Sequence, residues 1–551
     1  MANTENEWEL EEGIPQVGDP FIQQYLKGRD ALIMEERKRR HDANLRKSLS
    51  PIAARATKIV SQIRAQEQNE LWSSGLDEVA AHQADEILYP GVMFNLAKGR
   101  MENTKLWKIV EKMPKGSLLH AHMDAMFDIN FLIDQAFSTP GIHMLAPKPL
   151  ITAHDYENVP VLFQYSSQPL EASEDKPSIW SETYEPSSLI SIQKAASSFP
   201  QGGREGFPGM VAHPTFPIVD SLLMYEPIFR ACFHRLLAQL AEDGIRYVEF
   251  RIGFVFQFRK EGNDKPEEDH LEWCRVVEDV VAQFKQTDAG KDFYDPRIIW
   301  TTLRWFDNET IVNSMKQCIE TKLEFPNLIS GFDLVGQEDN GRPLVDLVPV
   351  LFWFRKQCAE EQVDIPFFFH AGECLGDGDA TDHNLFDAIL LGTRRIGHAF
   401  SLYKHPLLID LVKEKKILVE CCPISNEVLR LASSIKSHPL PALLSRGVPV
   451  SLCNDDPAIL GHGRNGLTHD FWQALQGLEN VDLVGLSMMA QNSIRWSCYE
   501  DQSTAEWKAG IQNGVMGKGL KAERLQAFAS DFEKFCEWVV LEFAEYDTGD
   551  D

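Results

Sequence analysis

From Ser117 to Ala458, short apolar runs alternate with segments long enough for a helix, and no other feature of this 551-residue chain constrains its fold as tightly. The runs are SLLHAHMD (117–124), RYVEFRIGF (246–254), RIIWTTLRW (297–305), LISGFDLVG (328–336), DIPFFFHAGE (364–373), TRRIGHAF (393–400), KILVECCPIS (416–425) and PVSLCNDDPA (449–458). Several are near-continuous Val, Ile, Leu and Phe, as in parallel strands buried on both faces. Between them, Val277, Val280, Val281 and Phe284 recur at helical spacing, as do the apolar residues from Leu344 to Cys358. Eight strand-then-helix units predict an α/β chain closed into a (β/α)8 TIM barrel. A doubly wound open sheet is the alternative arrangement.

Two stretches lie outside this pattern. Apolar residues at helical spacing, among them Tyr25, Leu32, Ile33, Leu45, Ile52, Ile59 and Ile63, predict an N-terminal helical extension over 1–110, with Pro51 separating two of its helices. The strand-and-helix domain then spans 111–545, with an insertion at about 126–218 between the first and second strands. Loops that follow barrel strands form the active-site rim, so this insertion is read as a lid or substrate-selecting element.

Composition excludes several classes of function. The net charge of −28 opposes binding to a polyanion, because nucleic-acid affinity comes largely from Lys and Arg on phosphates. No window reaches the length of apolar sequence that crosses a bilayer. The 10 cysteines lack a CxxC pair, and none precedes Cys232, which fits reduced thiols rather than a disulfide framework. The opening MANTENEWELEEG is acidic and has no apolar core, so the expected location is cytoplasmic.

The chemistry lies at strand ends. His120 and His122 stand at i and i+2 on the first strand, so both rings can face one ion. The fifth strand ends in His370-Ala-Gly-Glu373, the sixth in Gly397-His398, and the eighth in Asn454-Asp455-Asp456. A barrel brings the C-terminal ends of all its strands to one rim. Histidines with a carboxylate suit zinc and leave a position for water; magnesium would want mostly oxygen ligands. The fourth strand offers no lysine to bridge a second metal, which favours a single ion.

At these residues the sequence resembles the adenosine deaminase superfamily, and most closely its adenosine deaminase growth factor branch. The matching stretches are MPKGSLLHAHMDA (113–125), YVEFR (247–251), GFDLVGQE (331–338), FFFHAGE (367–373), DHNLFDAILLGTRRIGHAFSL (382–402), CPISN (422–426) and PVSLCNDDPAIL (449–460). The resemblance implies a barrel of the metal-dependent hydrolase type, a Zn2+ cofactor, and hydrolytic deamination of adenosine or 2′-deoxyadenosine. It implies His120, His122, His370 and Asp455 as zinc ligands, and Glu373 as the acid that protonates purine N1. By the same resemblance His398 takes or orients the proton of the attacking water. Asp456 meets N7, the Gly336 backbone meets N3, and Asp124 meets the ribose. The helical extension matches the branch in position, where it contributes to a homodimer. Trp180, Phe207 and Phe216 in the insertion are candidates for stacking on the substrate, and Lys194 and Arg204 for meeting a phosphate.

Other readings keep the same residues. The substrate could be a nucleotide, a free base or an N6-modified purine. The chain could be a catalytically idle purine-binding relative, or a different single-zinc amidohydrolase acting on a cyclic amide.

Overall fold

The computed structural model describes residues 8–9, 11–72, 89–167, 176–211 and 216–547. Part of the predicted N-terminal helical region (73–88) and parts of the insertion (168–175, 212–215) lie outside the described residues. Strand β1 (Gly116–His122) starts at a position that only glycine fits. Gly116 has φ +78°, and a Cβ there would lie 2.6 Å from the Ala490 carbonyl oxygen.

The insertion follows β1. Its strands β2 (Ile142–Leu145), β3 (Leu162–Tyr165) and β4 (Ile190–Ser191) form a small antiparallel sheet in the order β3-β2-β4. Helices pack around it, among them Ile192–Ser197, Gly203–Val211 and Phe216–Leu223. The Ser, Pro and Gly content of this stretch gave no sign of a sheet.

The parallel strands resume with β5 (Ile245–Gly253), β6 (Arg297–Leu303) and β7 (Ile329–Val335). They continue with β8 (His370–Ala371), β9 (Arg395–His398), β10 (Leu418–Cys421) and β11 (Val450–Leu452). Each coincides with one of the runs read from the sequence. Ladders join β1-β5-β6-β7 and β8-β9-β10-β11. Two parallel bridges close these halves into a barrel. At one seam Phe332 N donates to Pro366 O (2.9 Å) and Phe368 N to Phe332 O (3.1 Å). At the other, His122 N donates to Asp455 O (3.0 Å) and Asp455 N to His120 O (3.2 Å). The second seam therefore joins the first and last strands through three of the residues singled out in the sequence.

Helices Leu271–Phe284, Asn308–Glu324, Leu344–Glu360, Asn384–Leu390, Pro406–Lys415 and Leu440–Ser445 occupy successive crossovers. Pro51 opens the helix Pro51–Glu70, capped by Ser50 Oγ accepting from Ala53 N at 3.0 Å. That helix buries Ala56, Ile59, Val60 and Ile63 and packs along the C-terminal helix Leu520–Glu542. The earlier helix Pro20–Arg37, separated from it by the short helix Ala43–Lys47, buries no residue and exposes Phe21, Tyr25, Leu32 and Met34. Among the described residues no helix is long and apolar enough to cross a membrane.

Candidate active site

The barrel interior is ionic where a hydrophobic filling would be usual. Glu249 and Arg251 on β5, Asp333 on β7, Arg395 on β9 and Glu420 on β10 are all wholly buried. Buried charges of this kind persist only when each is paired. Arg251 Nε donates to Asp333 Oδ2 and Arg251 Nη2 to Glu420 Oε2, both at 2.8 Å. Arg395 Nη2 donates to Glu249 Oε2 at 2.7 Å, and its Nε to Glu420 Oε1.

On this frame stand the histidines. His120 Nδ1 lies 2.8 Å from Glu420 Oε2, and His370 Nδ1 lies 2.7 Å from Asp333 Oδ2. A carboxylate on Nδ1 fixes the proton there and leaves Nε2 with its lone pair. Donor atoms of His120, His122, His370 and Asp455 all lie within 4.8 Å of one another. Among the described residues His120 Nε2 is buried with no hydrogen-bond partner, which a metal ion would supply. Burial holds His122 down at about 4 and His370 well below the usual imidazole value, so both are neutral, as a ligand must be. Three imidazole nitrogens and one carboxylate fit zinc.

Beside this cluster lie the remaining candidates. His398 ends β9, with Nδ1 3.2 Å from Glu373 Oε1 and Nε2 3.9 Å from Asp455 Oδ2. Burial lowers His398 to about 3. Glu373 is carried on a tight turn after β8, where Glu338 accepts from Glu373 N (2.9 Å) and Gly372 N (3.2 Å). Burial, with Asp455 and Glu338 nearby, pushes the Glu373 carboxyl well above its usual range. Asp456 is raised for the same first reason, with Asp455, Asp124 and Glu373 adding to it. His398 (φ 61°), Ala399 (φ 47°) and Asp455 (φ 55°) are held in the left-handed region, a strain characteristic of functional sites.

These side chains open onto one cavity of about 980 Å³, at the upper end of the range for small-molecule sites. His122, Asp124, Gly336, His370, Glu373, His398, Asp455 and Asp456 all line it, and His120 lies directly beneath. Gly336 has φ +99°, and a Cβ there would lie 2.1 Å from the Trp305 ring, so the backbone is laid bare against the cavity. Of the aromatic candidates, Phe216 lines the cavity and meets the His122 ring edge-on, centroids 6.5 Å apart. Trp180 and Phe207 do not reach it. Trp180 Nε1 is satisfied by Ala195 O at 2.7 Å, and both rings pack against Phe199 in the core of the insertion. Lys194 and Arg204 also lie elsewhere. Lys194 Nζ donates to Lys176 O, and the Arg204 guanidinium covers the Phe137 ring.

Residues 215–514 match the family model described as adenosine deaminase. The chain belongs to the adenosine deaminase family. The matched segment begins after β1 and so does not include His120 and His122. Adenosine deaminase 2 of Sus scrofa is 32% identical over 454 residues, covering 80% of this chain and 86% of that protein. Adenosine deaminase 2 of Homo sapiens is 30% identical over 416 residues, covering 75% and 79%. Adenosine deaminase 2 of Dictyostelium discoideum is 30% identical over 496 residues, covering 88% and 85%.

Sequence reasoning looked for metal-type residues at strand ends and so missed the ionic frame beneath them. Asp333, Glu420, Arg251, Glu249 and Arg395 did leave a signal, as ionisable residues embedded in apolar strands. Glu338 left none, since it sits in the polar run 336–342, and Asp220 left one of the same kind, as the ionisable residue of the apolar helix Phe216–Leu223.

Proposed function

We propose that this chain is a zinc-dependent aminohydrolase that converts adenosine and 2′-deoxyadenosine to inosine and 2′-deoxyinosine with release of ammonia. The convergence of His120, His122, His370 and Asp455 beside Glu373, a partly buried carboxyl pushed well above its usual range, carries this reading. Its relatives bear the name adenosine deaminase. Zinc bound by those four residues supplies Lewis acidity, lowering the pKa of a water to about 7.

The chain's own groups do the rest. Water adds at purine C6 and the bond from C6 to the exocyclic nitrogen breaks. Glu373, neutral when substrate arrives, donates its proton to N1 and so relieves the charge that attack places on the ring. His398, neutral and with Nδ1 3.2 Å from Glu373 Oε1, accepts the water's proton and passes it towards the departing amine. Asp456, its carboxyl pushed well above the usual range by burial, meets N7, and the exposed backbone of Gly336 meets N3. Asp124 faces the ribose.

The scarcity of cations around the cavity favours a nucleoside over a nucleotide. Asp124, Asp220, Asp339, Glu373, Asp455 and Asp456 line it, and among the described lining residues Arg430 is the one Lys or Arg. A phosphate calls for paired Arg or Lys. The deciding experiment follows ammonia release from adenosine, 2′-deoxyadenosine, AMP and adenine, with and without a zinc chelator. Chelator-sensitive turnover of the two nucleosides is expected. Preference for AMP or adenine would move the substrate, and no turnover by zinc-loaded protein would overturn the reading.

We further propose that residues 1–110 dimerise a catalytic domain spanning 111–545, a second copy covering the exposed apolar side chains of Pro20–Arg37. Replacing Phe21, Tyr25 and Leu32 together by Ser should then halve the mass in sedimentation; an unchanged mass would refute this. All ten cysteines are free and buried, which supports a reducing, cytoplasmic location. Recovery of the protein in a secretory fraction would contradict it.

A further inference from the structure

Helix Phe216–Leu223 roofs the cavity above His122. One turn beyond Phe216, Asp220 turns its carboxyl into the same cavity while remaining only 7% exposed. Asp124, on the short turn after β1, lines the same cavity. Asp124 Oδ1 is buried and has no hydrogen-bond partner among the described residues.

A purely structural role explains this poorly. A buried carboxyl is costly unless something pairs with it, and neither one caps a helix nor pairs with a base here. Both stand at the wall of the substrate cavity, with hydrogen-bonding capacity unused. A neutral hydroxyl, which both donates and accepts, matches that capacity. A phosphate, which only accepts and carries negative charge, is repelled by it.

We propose that Asp220, beside Asp124 on the cavity wall, is a specificity residue that holds a ribose hydroxyl of the substrate and rejects a phosphate in its place. The proposal rests on the deaminase reading and adds to it a residue of the helix Phe216–Leu223.

The test compares wild type with Asp220→Ala and Asp220→Asn, all zinc-loaded, on adenosine, its 2′-, 3′- and 5′-deoxy analogues, and AMP. Asp220→Ala should raise KM for adenosine about 10- to 100-fold, the span of one hydrogen bond to a charged group, with kcat little changed. For one deoxy analogue, lacking the hydroxyl that Asp220 holds, the loss should vanish. Asp220→Asn should raise the AMP-to-adenosine ratio of kcat/KM. An equal KM increase on all four nucleosides would mean that Asp220 only packs the roof, and no change would mean that it touches no substrate; either overturns the proposal. Should wild type deaminate nothing, the deaminase reading fails. Calorimetric titration of the same nucleosides into the same proteins then decides for Asp220 by the same comparison, and no binding to wild type refutes it.

Discussion

His120 Nδ1 lies 2.8 Å from Glu420 Oε2, with both side chains fully buried in the barrel. That one contact turns Nε2 of His120 toward the other donor atoms. The same carboxylate accepts from Arg251 and Arg395, and Arg251 also donates to Asp333, which holds His370. A single guanidinium thus spans the carboxylates behind two of the four candidate ligands, so the geometry of the cluster is set by strands on opposite sides of the barrel.

Glu420→Gln should therefore weaken metal binding and the fold together. Gln can still meet His120, but it leaves two buried guanidiniums short of a counter-charge. Unbalancing a buried ion network costs about 3–5 kcal/mol, and loss of a carboxylate behind a ligating histidine costs about 10- to 100-fold in metal affinity. Zinc affinity by chelator competition and the thermal midpoint of the zinc-free protein read the two effects separately. A variant unchanged in both would show that the frame is ornamental.

Glu373→Gln separates acid from ligand. The amide keeps the shape of the side chain and its place above Glu338, but it cannot deliver a proton. Zinc content should stay at one per chain while kcat falls by roughly 10²–10⁴-fold. Loss of zinc along with turnover would instead make Glu373 a ligand.

The barrel was legible because buried parallel strands leave apolar runs, and all eight lie where the sequence put them. The site was legible because His120, His370, Glu373, His398 and Asp455 end those runs, and closing the barrel brings strand ends together. What escaped notice depends on side chains meeting across the barrel. Nothing local tells that Arg251 reaches both Asp333 and Glu420, since these pairs span 82 and 169 residues. The insertion escaped for a different reason. Its sheet pairs four-residue strands, too short for periodicity to register, so Trp180 and Phe207 read as stacking candidates when they are its core.

Gly397→Ala should damage the metal cluster while leaving the barrel folded. The backbone at Gly397 is not left-handed, so the substitution adds only volume. That volume falls 2.7 Å from His120 Cε1 and 3.0 Å from Nδ1. His120 cannot retreat, because Glu420 holds it from behind. Overpacking of this size costs about 1–3 kcal/mol, and here it is directed at one ligand. Zinc stoichiometry well below wild type, with a native circular dichroism spectrum, is the expected result; full occupancy and activity would show that His120 has room to move.

Glu427 gives stability a pH dependence that can be removed. Its carboxyl accepts from Phe94 N, joining the helix Phe94–Met101 to the turn after β10. Burial holds it at about 7, against the usual 4.5. Below the lower value both folded and unfolded chains carry the proton, so the contribution of Glu427 is fully present. Between the two values the folded chain keeps a proton that the unfolded chain has released. The unfolded state then binds fewer protons, so stability falls as pH rises, and the loss levels off above about 7. Glu427→Gln does not titrate and retains a carbonyl oxygen for Phe94 N. Its urea midpoint, relative to wild type, should therefore climb across this window and then run parallel. Midpoints measured at intervals from pH 4 to pH 8 that stay parallel throughout would show that Glu427 is ionised in the folded protein.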